Sequence, residues 1–245
     1  MRKFQIRPKP FLDAARREWQ FAAFAWLLRN CGGYSKFLDT TLVLPVADHF
    51  PDSGMKGHAA VAALFRRVRD HAGMEDWPCA VEPEAKEGGE VPAPAPAPAR
   101  IPVIRYRRDA VDPRLLVATF SHELARVLVD TFEERAPGGE ALHDPAIELA
   151  AVFMGFGIFM ANAAFETASF DLNEGELMHA LALFCLLRKT DPGTIDGHLN
   201  PHLRKYLRLA ARDLGQHEAR FRELRAVFRG MPVDIGECTL PTRGA

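Results

Sequence analysis

A histidine followed directly by a glutamate inside a helix-forming stretch is a pair that can do chemistry, and His122 with Glu123 stand that way in Phe-Ser-His-Glu-Leu-Ala-Arg over residues 120–126. A zinc hydrolase helix of the His-Glu-x-x-His kind places two histidines four residues apart as ligands and takes a third ligand from a following helix. The metal lowers the pKa of a bound water, and the glutamate accepts that water's proton. Residues four apart share a helix face. Here the second histidine position is Arg126. A guanidinium has no lone pair to donate and repels a divalent cation. The pattern therefore supplies a first metal ligand, His122, a vestigial general base, Glu123, and a cation built into the protein where a ligand should be.

The elements that must position this pair follow from caps and periodicity. Asp112 is an N-cap with Pro113 in the first turn, and the helix is expected to run to about residue 135, burying Leu115, Leu116, Thr119, Leu124, Val127, Leu128 and Phe132. Pro137, Gly138 and Gly139 break it. An uncharged run between Glu148 and Glu166 predicts one helix over 145–168, apolar on every side, around which the others pack. Its length is near the lower limit of roughly 17 residues for a membrane span. The internal Asn162 and acidic flanks favour a buried core helix instead.

Upstream, residues 3–7 read as a short strand. A helix is expected from N-cap Asp13 to Asn30, stopping at Gly32 and Gly33. Residues 40–44, Thr-Thr-Leu-Val-Leu, predict a buried strand, and 57–71 a helix with Val61, Leu64, Phe65 and Val68 on one face. Further strands are expected at 79–82 and 101–107, the latter with Ile101 and Val103 inward and Ile104 as a further inward candidate. Asn173 and Glu176 form a capping box for the next helix; Asn200 and Pro201 open another; the last covers about 216–229. His49, between Asp48 and Asp52, is read as a solvated loop histidine.

Between these halves, residues 83–100 read Pro-Glu-Ala-Lys-Glu-Gly-Gly-Glu-Val-Pro and then alternating Ala-Pro, a composition that favours a semi-rigid spacer and cannot bury a core. The organisation expected is an N-terminal part of a single domain over 1–82, this linker or surface insertion over 83–100, a helical core over 101–230 and a loosely ordered tail over 231–245. The fold class is α+β, predominantly helical. With 31 basic against 32 acidic residues, nothing points to nucleic acid or to an anionic membrane. Four scattered cysteines without a Cys-x-x-Cys pair point to reduced thiols, and the N-terminus lacks the apolar run of a signal peptide, so a cytoplasmic protein is expected.

The run Val152-Phe153-Met154-Gly155-Phe156-Gly157-Ile158-Phe159-Met160-Ala161-Asn162, preceded by Asp144-Pro145-Ala146-Ile147-Glu148-Leu149, resembles a family of uncharacterised bacterial proteins with a gluzincin-like core. In that family an intact His-Glu-x-x-His helix precedes Glu-Pro-Leu-Thr-Asp-Leu and then Val-Phe-x-Gly-x-Gly-x-Phe-x-Ala-Asn. Leu172, Glu174 and residues 180–184, together with Leu-Val-Leu-Pro at 42–45, extend the likeness to both sides of the Ala/Pro segment. The resemblance implies a zincin-like helical core with His122 as first metal ligand, Glu123 as general base, Asp144 in the place of the third-ligand glutamate and Glu148 in the place of the following aspartate. The chain departs from the pattern at Arg126, at the inverted lengths of that acidic pair and at Ile147. An aspartate is one methylene shorter, so Asp144 reaches less far.

The residues leave other readings open. Asp144 before Pro145 is also an ordinary N-cap, and Arg126 with Glu123 or Glu148 could form ion pairs that fill the site in place of a metal. His143 is a rescue candidate that could complete an irregular ligand set with His122 and a carboxylate, and His179 is a further one on paper, read first as a hydrogen-bonded core residue. The function expected is a zincin-like protein with a degenerate, metal-free, inactive site kept for binding or regulation. The alternatives are a zinc-dependent hydrolase or peptidase with a nonstandard ligand set, and a helical protein-interaction module. No cofactor is expected unless the site works, in which case it is zinc; any protein partner is unknown.

Overall fold

The computed structural model describes residues 10–52, 54–84, 101–107, 112–167 and 170–232. The strand expected at 3–7, most of the Ala/Pro segment and nearly all of the tail lie outside the described residues. The described residues are predominantly helical, with one small two-stranded sheet among them. In order come α1 (Ala14–Asn30), α2 (Gly33–Phe37), α3 (Gly57–His71), β1 (Ala80–Pro83), β2 (Val103–Tyr106), α4 (Pro113–Val129), α5 (His143–Ala151), α6 (Gly157–Thr167), α7 (Glu174–Leu187), α8 (Pro201–Leu214) and α9 (Glu218–Arg225).

Helix starts follow their caps. Asp13 accepts the Arg16 backbone N–H, and Asp112 accepts that of Arg114 just ahead of Pro113. Asn173 and Glu176 exchange both bonds of the capping box at the start of α7. Each satisfies N–H groups that have no partner inside the helix. α4 ends at Val129, earlier than periodicity alone suggests, and its buried face is Leu116, Val117, Phe120, Ser121, Leu124, Ala125 and Val129, whereas Thr119 is exposed and bonds the Leu115 carbonyl.

The apolar run is not one smooth helix. α5 gives way to a π-helical turn (Val152–Phe156), and α6 resumes at Gly157. The break sits at Gly155, whose φ of 98° belongs to the left-handed region that side chains avoid. A Cβ there would lie 2.1 Å from the Thr41 carbonyl oxygen, while the Val43 N–H bonds the Gly155 oxygen at 2.9 Å. The Gly-x-Gly of the sequence thus lets residues 41–43 cross directly against the helix. Those residues form no β-strand: they meet a helix kink, which cannot offer the repeating donors and acceptors of a ladder. The chain's one helical stretch long and apolar enough to cross a membrane, Gly139–Thr167 among the described residues, has 94% of its most apolar window buried inside the protein.

β1 and β2 pair in parallel, Ala80 with Val103 through Pro83 with Tyr106. Their register corrects the inward face expected for β2: Ile104 and Tyr106 are buried, while Ile101 and Val103 are exposed. Tyr106 turns inward because it meets Phe120 edge-on, with ring centroids 6.4 Å apart, and reaches His58 with its hydroxyl. Around this frame α1 anchors the connection after α4. The indole N–H groups of Trp19 and Trp26 donate to the Pro137 and Glu134 carbonyls at 2.8 and 3.0 Å.

Candidate functional site

His122, Glu123 and Arg126 project from the middle and end of α4, and the antiparallel neighbour carrying the acidic pair is α5, reached through the short helical turn Gly139–Leu142. His122 faces its own neighbour: Nδ1 lies 3.3 Å from Glu123 Oε1. That hydrogen bond, helped by the nearby Arg126, holds the Glu123 carboxyl below the ordinary carboxylate range despite partial burial. The other face of the His122 ring is edge-on to Phe170 at 6.0 Å between centroids.

Arg126 reaches across to α5 and donates from a terminal nitrogen to Asp144 Oδ1 at 3.2 Å, and its Nε stands 4.0 Å from Glu123 Oε2. The guanidinium therefore bridges the two carboxylates that the resemblance would give to a metal and its water. Glu148, considered as a partner for Arg126, does something else. It is buried, and its two carboxylate oxygens accept the backbone N–H groups of Asp171 and Leu172 at 2.7 and 2.8 Å. It ties α5 to the segment that leads into the α7 capping box. Burial raises its pKa from 4.5 to about 7, against the lowering effect of those two bonds and of His122.

The rescue candidates lie elsewhere. His143 directs Nε2 toward Asp130 Oδ1 at 4.0 Å, beyond the end of α4. His179 is fully buried and bonds Gln20 Oε1 through Nδ1 at 2.7 Å; burial, with the charges of Arg17 and His217, lowers its pKa to about 3. His49 is a staple rather than a free loop side chain: its Nδ1 accepts the Leu44 N–H at 2.8 Å, and its carbonyl meets His71 Nε2 at 3.1 Å. No group of three His, Cys, Asp or Glu side chains suited to a metal converges among the described residues.

A zinc ion does not fit this arrangement of donors. His122 can offer Nε2, but Asp144 is turned to a guanidinium, Glu148 has both oxygens committed to backbone, and the fourth-residue position carries a fixed positive charge. What the arrangement can do chemically is hold a half-exposed network of alternating charge. Comparison with family models, curated proteins and solved structures yields no match.

Two features escaped sequence reasoning. Gln20, on α1, bonds both His179 and the Glu176 carbonyl, and Arg16 pairs with the Glu176 carboxylate. His179 itself is expected as a hydrogen-bonded core residue, as found; its partner could have been signalled only by Gln20, a polar residue beside Phe21 in an otherwise apolar stripe. The other is the pairing of His58 Nδ1 with the Tyr106 hydroxyl at 3.0 Å, between residues 48 positions apart, for which no local signal exists.

Proposed function

We propose that this chain is a zincin-like scaffold whose catalytic metal has been replaced by an internal cation, leaving a non-catalytic cytoplasmic protein with a binding or regulatory role. The observation that carries the reading is the placement of Arg126 between Glu123 and Asp144 on the helix face it shares with His122. A carboxylate pair left without its metal is stabilised by a permanent cation, and a guanidinium presents several donors to do so. The bridge is half-exposed and confers little stability on its own. Its consequence in this reading is exclusion of a divalent ion.

The test is the metal content, by elemental mass spectrometry, of protein purified without chelator or nickel. The wild type is expected to be empty, and Arg126→His to acquire zinc that Arg126→His combined with His122→Ala does not retain. Near-stoichiometric zinc in the wild type, lost in His122→Ala, would overturn the reading and favour a hydrolase with a nonstandard ligand set.

A further inference from the structure

Away from the α4–α5 network, the described residues leave α3 partly uncovered. It buries Phe65 and Val68 in the core, yet Val61 and Leu64 remain only half-buried. Together with Phe50, Met55 and Leu116 they form the apolar floor of a groove of about 950 Å³. That volume lies within the range of sites that accept a small organic ligand, and an apolar floor with a few polar groups at its edges is the usual composition of such sites.

The polar groups are segregated along α3. Near its start, His58 Nδ1 and the Tyr106 hydroxyl are hydrogen-bonded at 3.0 Å, with their rings nearly parallel. Two turns further on stand Arg66 and Arg67, both exposed, and neither forms an ion pair or side-chain hydrogen bond with any described residue. Asp52 and Asp70 also line the groove. Asp52 uses Oδ1 to accept the Gly54 N–H at 2.9 Å, and Asp70 lies about one turn beyond the arginines. Eight residues of helix carry the chain from His58 to Arg66, which offsets the polar pair and the cationic rim by about 12 Å along the helix axis, with Val61 and Leu64 between them in the chain.

We infer that this groove binds a free amphipathic acid, an alkyl or aryl body of about 12 Å lying along Val61 and Leu64 with a carboxylate at Arg66 and Arg67. The apolar floor supplies affinity through burial of the ligand body. The two guanidinium groups supply the selectivity, since planar donors match a carboxylate and no carboxylate of the described residues pairs with them. The site is separate from the proposed metal-free network and does not rest on it.

Dodecanoate is the probe, with dodecanol and dodecyltrimethylammonium as uncharged and cationic counterparts of the same chain, measured by titration calorimetry on the full chain. Saturable binding of dodecanoate is expected, at least tenfold tighter than either counterpart. Arg66→Gln combined with Arg67→Gln should weaken dodecanoate by at least tenfold while changing the melting temperature little, because neither side chain has a hydrogen-bond or ion-pair partner to lose among the described residues. Equal binding of all three compounds, absence of saturable dodecanoate binding, or affinity indifferent to the double substitution would each overturn the inference. So would binding to vesicles of anionic phospholipid without binding to the free acid, which would make the face a lipid-surface contact.

Discussion

At the scale of single residues, Glu148 and His179 are buried titratable groups whose pKa values move in opposite directions relative to neutral pH. The Glu148 carboxyl rises from 4.5 to about 7 because burial outweighs its two backbone hydrogen bonds. In the window between those values the folded protein holds a proton that the unfolded chain has released, so stability falls as pH rises from about 4.5 to about 7. The full shift corresponds to about 3 kcal/mol. Glu148→Gln removes the titration, and the stability difference between wild type and variant, measured by urea denaturation, is expected to move against the wild type across that window. A difference independent of pH would show that the carboxylate stays ionised on the Asp171 and Leu172 N–H groups. His179 acts with the other sign. Its pKa falls from 6.5 to about 3, so the unfolded chain binds the extra proton, and stability is present above 6.5 and lost as pH falls toward 3. Its ring should remain neutral at pH 5 in nitrogen-15 NMR, the Gln20 bond holding the proton on Nδ1. A protonated ring at that pH would mean that the site is wetter than its packing implies.

At the scale of elements, the kink between α5 and α6 is where the fold depends most on one missing side chain. Gly155→Ala meets two obstacles, a left-handed φ and a Cβ only 2.1 Å from the Thr41 oxygen. Gly73 has a φ of 66° but nothing within 4 Å of a built Cβ. The left-handed conformation alone costs about 1–2 kcal/mol, and overpacking adds about 1–3. Chemical denaturation should therefore place Gly155→Ala well below Gly73→Ala; equal losses would mean that the crossing segment 41–43 simply moves away. This kink also marks the limit of what the sequence discloses. The caps at Asp13, Asp112 and Asn173 were legible because donor and acceptor lie within one turn. Gly155 sits in a run apolar on all sides, where periodicity carries no phase, and the reason for its conformation is a carbonyl more than a hundred residues earlier. β2 fails for a similar reason: Val103, Ile104 and Tyr106 all suit burial, and the choice is made by Phe120 and His58. In the candidate site the His-Glu pair and the intruding Arg126 could be read from spacing, and so could a carboxylate partner for Arg126. That Glu148 would serve the backbone of 171–172 could not, because nothing local specifies where that segment docks.

At the scale of the whole molecule, the parallel pairing of β1 with β2 constrains the nineteen residues between Pro83 and Val103. Parallel strands require a connection that returns along their length, and this one carries the Ala/Pro composition. If that segment is an insertion in one cooperative unit, its sequence matters little to stability and its length only through chain closure. Removing residues 91–98 leaves eleven residues, still enough to span the return of a four-residue strand. The closure cost scales with the logarithm of loop length, so the deletion is expected to change stability by only about 0.5 kcal/mol. Unfolding followed by far-ultraviolet circular dichroism and by tryptophan fluorescence should remain a single coincident transition, since Trp19 and Trp26 on α1 are tied to the connection after α4. Two separated transitions in either protein would instead make the segment a linker between independently folding lobes, with β1 and β2 the contact between them.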